Sequence, residues 1–162
     1  MSAPSSTKGR IRNILETIYG YVDSALTADY ASYEVSQADR PKIYEADVFP
    51  FAAVRVNPAN IEDLVYGRRI PSAGSQAVYE FSIHVFHLRN TGSGEDHNRD
   101  VTIAARRIID YIVDKSQDTT EMAVNGIHFI RDVFGRESDP RGRRLARIII
   151  EGVVEVNRED SP

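Results

Sequence analysis

Cysteine is absent from all 162 residues. That absence excludes thiolate catalysis, disulfide bridges and cysteine-ligated zinc, and it leaves the redox compartment open. Long apolar runs are missing as well. Nothing approaches the ~18 consecutive apolar residues of a membrane span, and the opening Met1-Ser2-Ala3-Pro4-Ser5-Ser6-Thr7-Lys8 lacks the apolar core of a signal peptide. The expectation is a soluble chain made in a cytoplasm, with no membrane partner. A strong charge of either sign is also lacking. The formal net charge of -4 argues against a general basic coat for nucleic acid, without excluding local basic contacts.

What is present fits one domain. The length matches the prior of roughly 150 residues per domain, and a hydrophobic fraction of 41% can build one core without a disulfide or metal staple. Residues 1–7 and 158–162 are small or polar and are expected to be flexible tails flanking a single domain over 8–157. Ser6 or Thr7 is placed to cap a helix in which Ile11, Ile14, Leu15, Ile18, Tyr19, Val22 and Leu26 recur at three- and four-residue steps. Lys8, Arg10 and Arg12 fall in its first turns, where the helix dipole disfavours cations. They fit either a partner or a solvated basic end.

The longest signal is Gln76 to Arg89, where apolar and polar residues alternate so that Tyr79, Phe81, Ile83 and Val85 share one strand face. At ~3.3 Å per residue this strand reaches roughly 40 Å, well beyond the usual five or six residues. A second long run, Arg143 to Asn157, puts Ala146, Ile148, Ile150, Val154 and Val156 on one face and Arg147, Ile149, Glu151, Val153 and Glu155 on the other. Phe49 to Asn57, with Pro50 near its start, is expected to be a first strand, and Ile127 to Phe134, after Gly126, a third. Val101, Ala104, Ala105, Ile108 and Ile112 mark a second helix ending near Lys115, with Asp96 to Asp100 offering caps. No period holds from Asp29 to Asp47, where Tyr30, Tyr33, Pro41 and Tyr44 suggest an irregular segment lying against something. Tyr66 to Ser75 has the composition of an exposed loop, long enough to be functional. The fold class expected is α+β: an antiparallel sheet of about four strands, two helices on one face, and long hairpins and loops extending from it.

The usual chemical signatures fail. His84 and His87 are three residues apart, so on a strand they face opposite ways and do not share a metal. His97 beside Asp96 belongs to a helix start, and no nucleophile is recognisable near it. His128 alternates with Ile127 and Phe129, which suits a surface or an interface. Glu80, Ser82 and His84 share a strand face and superficially resemble a hydrolytic set, but a flat pleat offers no turn to raise the serine. Gly92-Ser93-Gly94 lacks the third glycine of a dinucleotide loop and the Gly-Lys-Ser/Thr ending of a P-loop. There is no CxxC, HExxH or acidic calcium loop, no stacking platform for bases and no internal repeat. No catalytic residue, cofactor or metal is assigned.

Charge at the loop tips remains. Arg136, Arg141, Arg143, Arg144 and Arg147, against Glu137 and Asp139, concentrate positive charge before the last strand, and Arg68 and Arg69 form another basic tip. These are either solvated loop arginines or planar forks for carboxylates of an adjacent subunit or phosphates of DNA. Arg68, Arg69, Arg136, Arg141, Arg143 and Arg144 are the candidate contacts with a subunit, partner or DNA.

Taken in order, the helix Ile11 to Leu26, the run Pro50-Phe51-Ala52-Ala53-Val54-Arg55-Val56, the long strand ending Val85-Phe86-His87-Leu88, the helix Val101 to Ile112 and the closing Arg144-Leu145-Ala146-Arg147-Ile148-Ile149-Ile150 form a pattern. It resembles the tail terminator proteins of long-tailed bacteriophages, also called tail-to-head joining or tail completion proteins. The similarity is one of pattern and covers nearly the whole chain beyond residue 7; residues 29–47 and 66–75 have no match and stand as arms of this chain's own. The resemblance implies a structural virion protein of the tail and neck, assembled in the host cytoplasm and catalysing no reaction. It implies a six-fold homo-oligomeric ring that caps the tail tube protein, ends tube polymerisation and meets a head completion or neck protein, with genomic DNA passing through the lumen. Two other readings stay open: another neck or tail-tube component of related fold, and a small-molecule or nucleic-acid-binding α+β domain.

Overall fold

The computed structural model describes residues 7–37, 48–58, 76–88, 99–118, 122–132 and 145–157. Helix α1 runs Thr7–Asp29, so it begins at the last residue of the expected tail. Ile14, Ile18, Val22, Ala25 and Leu26 bury its apolar stripe, as their spacing requires. The backbone N–H of Tyr30 donates to the carbonyl of Leu26 at 2.9 Å, a final helical bond, and the chain then turns back along the helix. The Tyr33 hydroxyl donates to Asp23 Oδ1 at 2.6 Å. The Thr27 hydroxyl lies 2.8 Å from the Asp23 carbonyl oxygen and beside the Tyr33 oxygen, and its one proton serves one of the two.

That return produces an element the sequence did not announce. Strand β1, Glu34–Ser36, pairs parallel with β2, Phe51–Pro58, in the register Glu34↔Phe51 to Ser36↔Ala53. The Glu34 N–H donates to the Pro50 carbonyl at 3.1 Å, and the Tyr19 hydroxyl on α1 reaches the Val35 carbonyl at 3.4 Å. The described part of the expected irregular segment, residues 29–37, thus lies against α1 with a three-residue strand inside it, and the rest of that expectation, 38–47, lies outside the described residues. Three residues carry no readable period.

Strand β3, Gln76–Leu88, pairs antiparallel with β2 on one side. On its other side it pairs with β5, Leu145–Asn157, along all thirteen residues, from Gln76↔Asn157 to Leu88↔Leu145. Strand β4, Met122–Asp132, closes the sheet, whose order is β1-β2-β3-β5-β4. The sheet is α+β in class with one short parallel pair added to four antiparallel strands.

Strand β4 corrects the expected Ile127–Phe134. The strand starts five residues earlier and runs through Gly126, because the chain absorbs an irregularity there instead of turning. The register passes from Asn125↔Val153 to His128↔Glu151, three steps on β4 against two on β5, which is one extra residue in a bulge. Glycine is at home in such a place, although local sequence rules read it as a break.

Helix α2, Arg99–Asp118, extends three residues past the expected end at Lys115. It lies beside α1 on the same face of the sheet, α1 over β1 and β2 and α2 over β3, β5 and β4. Ala104 and Ala105 are fully buried, and their small side chains let the helix approach the strands. One core joins these layers: Ile108 and Ile112 from α2, Ile18 and Val22 from α1, Val54 from β2, Phe81, Ile83 and Val85 from β3, and Ile148 and Ile150 from β5. Among the described residues no helix is long and apolar enough to cross a membrane.

Candidate assembly surface

The alternation that buries Tyr79, Phe81, Ile83 and Val85 turns the intervening side chains to the face away from the helices. Strand register arranges that face in rows. One row runs Phe51, Phe86, Arg147 and ends at the β4 position Asp132. The next runs Ala53, His84, Ile149 and the position of Ile130, and a third runs Arg55, Ser82, Glu151 and the position of His128.

The rows change in character along the strands. At the β1 end Phe51, Phe86 and Leu145 are buried together, with Phe49 and Ala53 packed against them. The Phe51 and Phe86 rings stand 6.2 Å apart at 58°, a tilted pair of the kind aromatic quadrupoles favour. Leu88, directly opposite Leu145 in register, is exposed and continues the apolar end. Ala53, His84 and Ile149 in the middle row are half-buried. Beyond it Arg55 and Glu80 are exposed, while Ser82, Glu151 and Val153 are half-buried. Arg147 sits at the boundary with its Nε shut off from solvent.

Two borders complete the surface. Strand β1 covers only Phe51 to Ala53 of β2, so among the described residues no strand lies outside Val54–Pro58. The outer side of β4 has no strand partner among them either. A sheet border without a partner strand can template pairing with another chain.

Among the described residues the histidines do not form a centre. His84 stacks on Phe86, ring centroids 6.4 Å apart at 21°, on the face away from the helices. His87 belongs to the opposite row, with Nδ1 3.4 Å from the Leu88 carbonyl oxygen and its ring 6.4 Å from Phe49. The expected opposition of the two is thus observed. Glu80, Ser82 and His84 do share a face, at Cα steps of about 7 Å along a pleat without an elbow. Among the described residues no three His, Asp or Glu converge as a metal ion would require. His97 lies outside the described residues, and His128 is placed only by its register opposite Glu151.

The candidate contacts Arg68, Arg69, Arg136, Arg141, Arg143 and Arg144 all lie outside the described residues, as does the loop 66–75. What sequence reasoning missed is the end cluster. Phe49 and Phe51 belong to one strand region, Phe86 to a second and Leu145 to a third, and only the register brings them together. The signal is the pair of apolar residues Phe86 and Leu88 directly after Glu80, Ser82 and His84 in one row of β3. No protein-family model matches this chain, and no curated protein sequence matches it.

Proposed function

We propose that this chain is a structural virion protein: a tail terminator that forms a ring on the end of a phage tail tube, stops tube growth and joins the tail to the neck. The observation that supports this reading is the face of the sheet away from the helices. Its rows run from a buried aromatic end through the half-buried His84 and Ile149 to the exposed Arg55 and Glu80. The part of that face that reaches solvent, from Ala53, His84 and Ile149 to Arg55 and Glu80, mixes apolar and charged side chains as a protein interface does, and the buried aromatic end gives it a fixed support.

Ring closure follows from the two borders. Pairing the outer side of β4 in one copy with the Val54–Pro58 border of the next is a head-to-tail contact, and such contacts close into rings when the rotation between copies allows. Exposed Glu80 and Arg55 on that face, with the arginines the sequence concentrates at 68–69 and 136–144, bring both signs of charge, which favours correct docking over wrong partners.

Negative-stain imaging of the purified protein, alone and mixed with polymerising tail tube protein, tests the proposal. Rings, or tubes that stop growing and carry a cap of this protein at one end, are expected. A monomer at all concentrations, with tubes that lengthen unchanged in its presence, would overturn it.

A further inference from the structure

We propose that the outward face of α2 is a self-complementary contact at which a second copy of this chain docks antiparallel about a two-fold axis. Ile103 and Val113 are 44% and 37% exposed, two of the three large exposed hydrophobics among the described residues. An exposed aliphatic side chain alone means little. Here Ile103, Arg106, Asp110 and Val113 fall within an arc of about 80° at 3.6 residues per turn, so they form one stripe.

The order of the stripe carries the inference. Ile103 and Val113 are equidistant from Ile108, and so are Arg106 and Asp110. When two copies of α2 lie antiparallel with the axis level with Ile108, Ile103 meets Val113 of the other copy and Arg106 meets its Asp110. Both pairs then form twice. That is the reciprocity an isologous interface demands.

The charges suit a partner better than their own helix. No ion pair joins Arg106 to Asp110, although they are four residues apart, and this order, cation before anion, is the weaker one within a helix. Arg107, by contrast, is engaged with Asp29 of α1 and stays out of the stripe. Ala104, Ala105, Ile108 and Ile112 hold the other side of α2 in the core, so the stripe is presented on a fixed support. A single helix pair buries less than the ~1,200 Å² of a standard interface, so the contact is weak and concentration-dependent. It is separate from the borders of the sheet and does not depend on the ring reading.

Sedimentation across a range of concentrations reads the contact as a doubling of the smallest species. Asp110→Arg places two arginines opposite two arginines and is expected to weaken the doubling about tenfold or more, while the double variant Arg106→Asp with Asp110→Arg restores it. Because the chain has no cysteine, introduced thiols report the register. A short bismaleimide should link Ile103→Cys protein to Val113→Cys protein in a mixture far better than it links either to itself. All these positions are exposed, and circular dichroism confirms the fold of each variant. No doubling in the wild type, a doubling indifferent to Asp110→Arg, a double variant that fails to recover, or cross-links that favour like with like would each overturn the proposal.

Discussion

Arg107 Nε stands 2.6 Å from Asp29 Oδ2, which sets a guanidinium of α2 against the carboxylate that ends α1. An acidic side chain at a helix C-terminus faces the negative end of the dipole, and the last turn of α1 holds no basic residue of its own. Arg107 offsets that from the neighbouring helix and ties the two together where the chain leaves α1. The arginine is more than half exposed, so the pair is worth about 0.2–1 kcal/mol. Arg107→Ala is expected to lower urea stability by that amount, and Arg107→Glu by more. Asp29→Asn should cost less than Arg107→Ala, because it removes the unfavourable charge along with the pair. Equal losses for Asp29→Asn and Arg107→Ala would show that the dipole has no part in this contact.

Gly20 sits within α1, and a methyl group added at its Cα would meet nothing within 4 Å. Glycine inside a helix costs about 0.5–1 kcal/mol relative to alanine through the freedom of the unfolded chain. Gly20→Ala is therefore expected to stabilise the protein by about that much, raising Tm by roughly 2–4 °C per kcal/mol for a chain of this size. Thermal denaturation decides it. An unchanged or lower Tm would mean that the space beside Gly20 is filled in solution.

Periodicity made the core legible and little else. The alternation in Gln76–Leu88 and Leu145–Asn157 identified the buried rows because a half-buried strand writes its face into every second residue. The stripes of both helices were legible for the same reason at the helical period. Strand β1 was not, since Glu34, Val35 and Ser36 are too few to show a period and are held by Pro50 and Tyr19 from elsewhere in the chain. The start of β4 was hidden by Gly126, which local rules treat as a break and a sheet can absorb as a bulge. For the assembly surface, the mixed row of β5 was visible in Arg147, Ile149, Glu151 and Val153. Its aromatic end was not, because Phe51, Phe86 and Leu145 meet only through register across three strands. Arg68, Arg69, Arg136, Arg141, Arg143 and Arg144 stand out by charge alone, and charge by itself carries no placement.

Three tyrosines make stability depend on alkaline pH. Burial, then the neighbouring Tyr111, raises the pKa of Tyr21. Burial, then Asp100 and Asp29, raises that of Tyr30 against the lowering effect of Arg107. The hydrogen bond to Asp23 raises that of Tyr33, opposed by Thr27 and aided by burial. Each phenol holds its proton more tightly in the folded chain than in the unfolded one, where its pKa is about 10. The stability this contributes is complete below pH ~10 and is lost as the pH rises through the folded values. Titration followed at 295 nm should show part of the tyrosine absorbance, from eight tyrosines in the chain, rising above the ordinary range and together with loss of structure. Tyr33→Phe should remove one late proton. A single native transition of all eight at the ordinary value would refute the linkage.

Ile149 and Ile150 are consecutive residues that separate folding from assembly. Ile150 is fully buried against the helices, and Ile149 is half-buried on the opposite face, level with His84 on one side and the Ile130 position on the other. Ile150→Ala opens a cavity in the core and is expected to cost about 2–5 kcal/mol. Ile149→Asp leaves that core intact, but it puts a carboxylate at the centre of the row proposed to meet the tube or the neighbouring subunit. Docking would then bury an unpaired charge, which proteins avoid at a cost of several kcal/mol. The expected outcome is a variant that melts close to the wild type yet no longer forms rings or caps tubes, read by denaturation and negative-stain imaging of the same preparation. If Ile149→Asp caps tubes as well as the wild type, the face away from the helices is not the contact surface. Assembly must then be carried by the β4 and Val54–Pro58 borders alone, where the backbone and not this face would hold the neighbour.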